Sequence, residues 1–316
     1  MTAMSSPHLS AIFVTFHSRA LIEAAIASTV AGAEEVGVSL EIVVVDNASG
    51  DGTVEAIRSA HPAAIVIANE ENVGFGVANN QAFAVASGSR WLLLNPDARL
   101  APGALPALLA AFDDDDRLGA AGPSITGAGT SDAESAGELP GLRSLAGHFL
   151  FLNRIIPARV AGPWRGVQLR RRGDRDCLLV GWVSGAAMVL RPDAIRETGG
   201  FDPSIFLYGE DMELGYRLAE AGWRLAVVPR AGATHAIGGS QGPGSTRWID
   251  GIEGYLVRRG RSRPAIAAAL AMIAAGTGVR WAIGSLLRHN PSHLLRLRAS
   301  MRHAMARAIG RTVGGR

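Results

Sequence analysis

The sequence predicts an α/β protein on a doubly wound, mostly parallel central sheet flanked by helices, with a helical, basic C-terminal extension. Three observations predict it. Short apolar runs alternate with segments of helical spacing across residues 9–94, and that alternation builds parallel strands joined by crossover helices. Ile42 to Val45 is an unbroken β-branched run, as expected of a strand covered on both faces. Residues 254–316 hold twelve of the 31 arginines and no Asp or Glu, which separates the tail from an acidic body.

Taken in order, residues 9–16 read as a buried strand, and Leu21, Ile22, Ala25, Ile26 and Val30 mark a helix over 19–31. The strand at 42–45 ends at Asp46, and a turn-rich segment follows, where Asp51 is placed to cap a helix over 53–60. Residues 64–68 form a third strand. Residues 72–87 open with glycines and continue as a helix, and 91–94 form a fourth strand ending at Asn95-Pro96-Asp97. Residues 123–176 are irregular, with loops, a hairpin and a short helix near 142–156. Residues 178–191 read as a strand, a helix follows Pro192, and another over about 210–221 is closed by Gly222. A strand at 224–228, a mobile Gly/Ser loop at 238–246 and helices from 247 complete the chain. The expected organisation is a domain over 1–246, with halves of about 1–122 and 123–246, and an extension over 247–316.

Composition narrows the function classes. With 316 residues, 48% hydrophobic content and a net charge of +3, the chain buries a sizeable core and is not a disordered segment. Cys177 is the one cysteine, so an internal disulfide framework and a multi-cysteine zinc site are excluded. Met1 to Ser10 lacks a basic stretch followed by an apolar one, so cytoplasmic residence is expected. A basic tail on an acidic body points to an anionic partner, a membrane surface or nucleic acid. No recognition module accompanies the tail, so the expectation is membrane contact and no nucleic acid. Ala265 to Val279 carries no charge, but Arg280 breaks the run short of the roughly 20 residues a span requires. An interfacial or partner-packed helix is expected, with Arg288, Arg296, Arg298, Arg302 and Arg307 available to anionic headgroups.

Ligands of doubly wound sheets sit beyond the strands' carboxyl ends, where Asp46 and Asp97 fall. Asp46 suits a nucleobase imide or a ribose, and equally a turn; Asn47, Ser49 and Asp51 match ordinary turn chemistry. The stretch Asn72 to Asn80 contains G-x-G, but Asn79 stands where a dinucleotide fingerprint has its third glycine, and the stretch follows the third strand. That disfavours a dehydrogenase and leaves a glycine turn able to approach a nucleotide closely. Asp97, after Asn95, suits Mg2+ or Mn2+ shared with a diphosphate, since hard cations take oxygen ligands. The acids Asp113 to Asp116 read as a solvated helix end. Glu210, Asp211 and Glu213 suit the positive end of a helix or supply a general base. His235 is a metal ligand or a core histidine.

Taken together, VDNASGDGT, NVGFGVANN, LLLNPDARL, GWVSGAAMVL, GGFDPSIFLYGEDMELGYRLAEAGW and the later His235 resemble the landmarks of the family 2 inverting glycosyltransferases of GT-A fold, over roughly residues 9–240. With NPD in place of the commoner DxD, the chain most resembles bacterial rhamnosyltransferases of cell-wall and O-antigen assembly. The resemblance implies that Thr15, Phe16, Asp46 and Asn47 hold the nucleotide and that Asn72, Gly74, Gly76, Asn79 and Asn95 line the nucleotide-sugar cleft. It implies that Trp182, Ser184 and Gly185 border donor sugar and acceptor, that Asp97 binds the metal with His235 as a further ligand, and that Asp211 is the base beside Glu210. The implied donor is dTDP-rhamnose, or a UDP-sugar such as those of galactose, galactofuranose or N-acetylglucosamine. The implied acceptor is a polysaccharide or polyprenyl-linked glycan at the inner face of the cell membrane. Asn95 departs from the first acid of DxD and removes one charge near the metal. A single base without a covalent nucleophile gives inversion, and that base should stay ionised at neutral pH. A nucleotide-sugar-binding protein without catalysis is the reading from another class; the presence of both Asp97 and Asp211 argues against it.

Overall fold

The computed structural model describes residues 8–127, 136–152, 171–172, 175–236, 246–287 and 291–310. The expected mobile loop lies outside these residues apart from Thr246.

In chain order the elements are β1 (Leu9–Thr15), α1 (Ile22–Val36), β2 (Leu40–Asp46), α2 (Thr53–Ala60), β3 (Ile65–Ala68), α3 (Phe75–Val85), β4 (Arg90–Leu94), β5 (Ala98–Leu100), α4 (Ala104–Asp113) and β6 (Leu118–Thr126). There follow β7 (Ala136–Gly137), α5 (Leu142–Phe149), β8 (Arg171–Arg172), β9 (Arg175–Val180), β10 (Trp182–Val183), β11 (Ala187–Leu190), α6 (Pro192–Thr198), α7 (Glu210–Glu220) and β12 (Arg224–His235). The extension is α8 (Arg247–Arg258), α9 (Arg263–Leu286) and α10 (Pro291–Ala308).

The main sheet runs β3-β2-β1-β4-β11-β6-β12-β9-β8, with β5 added on β12. Its N-terminal half is wholly parallel: β1 lies between β2 and β4, and β3 flanks β2. Antiparallel β11 joins that half to β6, and β6 pairs parallel with β12. Side chains alternate between two apolar layers as a pleated strand requires. Leu9, Ala11, Phe13 and Val44 pack under α1, α2 and α4. Ile12, Val43 and Val45 pack on the opposite face with α3, α6 and α7.

Three expectations are corrected. The single strand expected at 178–191 is three pieces. The chain leaves the sheet at Gly181, where a Cβ would come within 2.7 Å of the Leu139 amide nitrogen, and β10 pairs with β7 in a separate ribbon. Of residues 98–122 only a helix end at Asp113 to Asp116 was expected, and α4 ends there; the strand β6 is additional, its apolar signal diluted by the small residues Ala120, Ala121 and Gly122, which are buried. The final strand continues past 228 to His235 through an irregularity between Val228 and Gly232, which carries His235 back to the strand ends.

A third apolar cluster joins the extension to the body. Trp182 and Met212 pack with Ile249, Ile252, Tyr255, Leu270 and Ile273. The helices from 247 onward therefore share a core with β10 and α7.

Candidate active site

The carboxyl ends of β1 and β2 carry a closed polar network. Thr15 donates its hydroxyl to Asp46 at 2.7 Å, and Ser49 donates both its hydroxyl (2.5 Å) and its backbone N–H (2.9 Å) to the same carboxylate. Asp46 is buried, and these three donors meet most of its hydrogen-bonding capacity. Its first action is to shape the turn after β2. Phe16 lies half-buried beside His17, ring centroids 4.2 Å apart. The next turn, at Asp51, accepts from the Thr53 N–H and hydroxyl, so Asp51 holds the start of α2 from one position before its cap, Gly52.

Asn47 links this network to the glycine loop. Its amide donates to the Gly74 carbonyl at 3.3 Å and accepts from Asn69, which pairs with Gln81. Asn72 accepts from the Gly74 N–H. Gly74 has φ +89°, and a Cβ there would stand 2.6 Å from the Phe206 carbonyl; only glycine permits both the dihedral and the approach. The Phe75 N–H donates to that same carbonyl at 3.0 Å. The loop is therefore seated on the segment leading into α7. Gly76 faces Phe201, and Asn79 is buried with its amide on the Phe75 carbonyl. Both hold the loop from within.

The third group forms at the far rim. Asp97 Oδ1 and His235 Nε2 are 3.0 Å apart, and the Asn95 amide lies 3.4 Å from the same ring nitrogen. Pairing of β5 with β12 produces this: Ala98 stands opposite His235, and the Ala236 N–H donates to the Asp97 carbonyl. Residues 138–140 positions apart are thus joined by backbone register. The Asn95 N–H donates to the Ala186 carbonyl at 2.9 Å, and Gly185 lies against the Phe75 ring, a Cβ there falling 3.1 Å from its edge. Ser184 accepts from the Ala186 N–H. Trp182 is placed apart: it is buried in the third cluster with its indole N–H on the Glu138 carbonyl.

The acid pair opens α7. Tyr208 (φ +67°) and Gly209 (φ +94°) are both left-handed, a conformation costly for tyrosine. They turn the chain so that Glu210 and Asp211 occupy the helix's first turn. Glu210 is buried, and its Oε2 has no hydrogen-bond partner. Burial, then the neighbouring Asp211 charge, pushes its carboxyl up to about 8, so it is protonated at neutral pH. Asp211 is partly accessible, and its Oδ1 accepts from the Met212 N–H at 2.8 Å.

Sequence reasoning missed several residues around this arrangement. Phe206 and Tyr208 expose their rings beside the acid pair; two aromatics in the loop before the acids were the available signal. Asn80 pairs with the backbone of Phe201 in both directions at 2.8 Å. Arg217 binds Glu213 and the carbonyls of Thr198 and Gly200. Neither role has a local sequence signature. The polar loops at the strand ends thus hold one acid–imidazole pair, and the glycine loop is seated on the segment that leads into the acid pair of α7. Among the described residues no cluster of three or more His, Cys, Asp or Glu is present, so any cation here would draw further ligands from its substrate.

Comparison with known proteins identifies the class to which this fold belongs. Glycosyl transferase family 2 matches residues 10–175, and Glycosyl transferase family group 2 matches residues 175–308. The chain belongs to Glycosyl transferase family 2. It is 32% identical over 207 residues to the N-acetylglucosaminyl-diphospho-decaprenol L-rhamnosyltransferase of Mycobacterium tuberculosis, a match spanning 62% of this chain and 66% of that relative, just under two thirds of its length. It is 42% identical over 59 residues to the rhamnosyltransferase WbbL of Escherichia coli, 19% of this chain and 21% of that one. Among solved structures, the fold is similar to the mannosyltransferase PcManGT of Pyrobaculum calidifontis in complex with GDP-Man and Mn2+ (TM-score 0.54, 20% identity, 97% of this chain and 87% of that one). It is also similar to GalNAc-T7 with UDP, GalNAc and Mn2+ (TM-score 0.56, 15% identity, 94% and 55%). The mixed α/β fold with its flanked, mostly parallel sheet is the GT-A fold.

Proposed function

We propose that the chain is a metal-dependent inverting glycosyltransferase that moves L-rhamnose from dTDP-rhamnose to a hydroxyl of a lipid-linked or polysaccharide acceptor. Its place is the cytoplasmic face of the membrane, with the basic extension toward the lipid. The observation that carries this reading is one of continuity. The Asp97–His235 pair, the 184–186 turn, the glycine loop and the strained segment entering α7 are joined contact by contact. The named activities of the rhamnosyltransferase relatives support the sugar, and the polyprenyl diphosphate in the first relative's name supports the acceptor.

Asp97 and His235 fit a Mg2+ or Mn2+ ion. One carboxylate and one imidazole converge within 3.0 Å, and two protein ligands leave most of an octahedral shell to diphosphate oxygens and water. Such an ion, when bound, offsets the charge that grows on the departing diphosphate. Asn95 stands where an acid would have added charge, its amide nitrogen 3.4 Å from His235 Nε2. Asp211 accepts the proton of the attacking hydroxyl. Glu210, holding its proton, supplies no second charge beside that base; environments that push two carboxyls apart assign them different roles. With no covalent intermediate, the acceptor oxygen bonds to the anomeric carbon as the bond to the diphosphate breaks, and the sugar is transferred with inverted configuration.

The test is transfer from dTDP-rhamnose to polyprenyl-diphosphate-linked N-acetylglucosamine with Mn2+ present. Asp211→Asn should lower turnover by at least about a thousandfold, within the range general-base catalysis supplies, while thermal stabilisation by the donor stays near wild type. Near-normal transfer by Asp211→Asn removes Asp211 as the base. Stabilisation by UDP-sugars in preference to thymidine donors reassigns the sugar.

A further inference from the structure

The hairpin of α9 and α10 turns an uncharged stripe outward. Ala275, Val279, Ile283 and Leu286 on α9 are exposed and recur every three or four residues, so they line one face for about 16 Å at 1.5 Å per residue. Ile283 is 50% exposed, Leu286 83% and Leu287, just past the helix, 64%. The opposite face of α9, with Ile266, Leu270, Ile273 and Ala274, is buried with Phe149 of α5 and Ile252 and Leu256 of α8. Arg280, the charge that interrupts the apolar run, is turned off the stripe. Its guanidinium donates to the His148 carbonyl at 3.1 Å and lies over the rings of Phe149 and Phe151. On α10 the exposed positions Leu295, Arg298, Arg302 and Met305, with Ile309 just past the helix, share one face at a period near 3.5, the two arginines between apolar residues. An exposed apolar stripe, in a segment of twelve Arg and no acid, complements an anionic lipid surface.

We propose that α9 lies in the plane of an anionic bilayer, with Val279, Ile283, Leu286 and Leu287 at the acyl boundary and Arg298 and Arg302 on lipid phosphates. This deepens the membrane contact proposed above and rests on it for the choice of partner, not on the transfer chemistry. Although α9 is long and apolar enough to cross a membrane, crossing would strip its inner face from α5, α8 and α10 and carry Arg280 into hydrocarbon. An in-plane helix keeps every one of those contacts.

Flotation of the full chain with vesicles of phosphatidylglycerol and phosphatidylcholine, against phosphatidylcholine alone, tests this. Wild type should bind the anionic vesicles. Ile283→Ser with Leu286→Ser should weaken binding at least about tenfold at every salt concentration. Arg298→Gln with Arg302→Gln should weaken it about tenfold at low salt and less at high salt. Both pairs are exposed, so thermal unfolding should match wild type, and transfer to a water-soluble acceptor analogue should be unchanged. That last readout separates failure of this inference from failure of the transferase reading. The proposal is overturned if wild type ignores anionic vesicles or if both variants partition as wild type does. It is also overturned if cell membranes retain the protein through alkaline carbonate extraction, the mark of a span, or if the stripe is covered in a stable dimer that the serine pair dissociates.

Discussion

Glu210 and Asp211 are adjacent, yet the structure gives them different surroundings. The carboxyl of Glu210 is enclosed with its Oε2 unpartnered, while that of Asp211 is partly accessible. Glu210 therefore binds a proton in the folded state across a range where an unfolded glutamate has lost it. Its unfolded value is 4.5 and its folded value about 8, so the native state holds the extra proton between those limits. Stability conferred by this group is full below the lower limit and is lost as pH rises toward and through the upper one. The difference in unfolding free energy between Glu210→Gln and wild type should accordingly grow in the variant's favour from pH 5 to pH 8.5, by about 1.4 kcal/mol for each pKa unit relieved. Denaturant unfolding of both proteins at the two pH values measures it, and a constant difference would show that Glu210 titrates normally.

At the scale of elements, two clamps hold α7 against the glycine-loop helix. Asn80 on α3 binds the Phe201 backbone in both directions, and Arg217 on α7 reaches Thr198 and Gly200 just before it. Asn80→Ala leaves a buried N–H and carbonyl without partners and should cost about 1–3 kcal/mol, read as a lower denaturation midpoint; Asn80→Asp, which keeps the acceptor for the Phe201 N–H, should recover part of it. The approach of α8 is as close. A Cβ on Gly251 would sit 2.5 Å from the Tyr208 carbonyl, so Gly251→Ala must move either α8 or the turn that presents the acid pair. We expect kcat to fall at least about tenfold, as a small misplacement of a reacting group can, with donor KM little changed. A normal kcat per folded molecule, once the native fraction is measured by circular dichroism, would show that the substitution only unfolds the protein.

Over the whole molecule, the extension packs on the body through a shared apolar cluster. Trp182 and Met212 share a core with Ile249, Ile252 and Ile273. A chain ending at residue 246 should expose that apolar surface and lose solubility, measured as the soluble fraction on expression. Soluble, monomeric 1–246 would show the boundary to be real. Most of the N-terminal half was legible in advance, because β1, β2 and β4 are continuous apolar runs and α1 and α3 show helical spacing. The middle was not: β6 is built from small residues, and β10 and β11 are set by the partners they pair with. The candidate site was legible as residue types. Asp97, His235, Glu210 and Asp211 could be named from their motifs, but the supporting contacts of Asn80, Arg217 and Gly251 could not.

What the sequence by itself determined is periodicity and local chemistry: parallel α/β layering, glycine turns, acids at a helix start and a basic tail. Those depend on neighbours a few positions apart. Only the tertiary structure decided that the ring of His235 meets Asp97, that Arg280 faces inward and leaves the stripe on α9 uncharged, and that Glu210 keeps its proton. Each depends on burial or contact between residues far apart in the chain, except the proton of Glu210, where the neighbour is adjacent but the enclosing surface is not. Desolvation and register are properties of packed elements, and no local pattern encodes them.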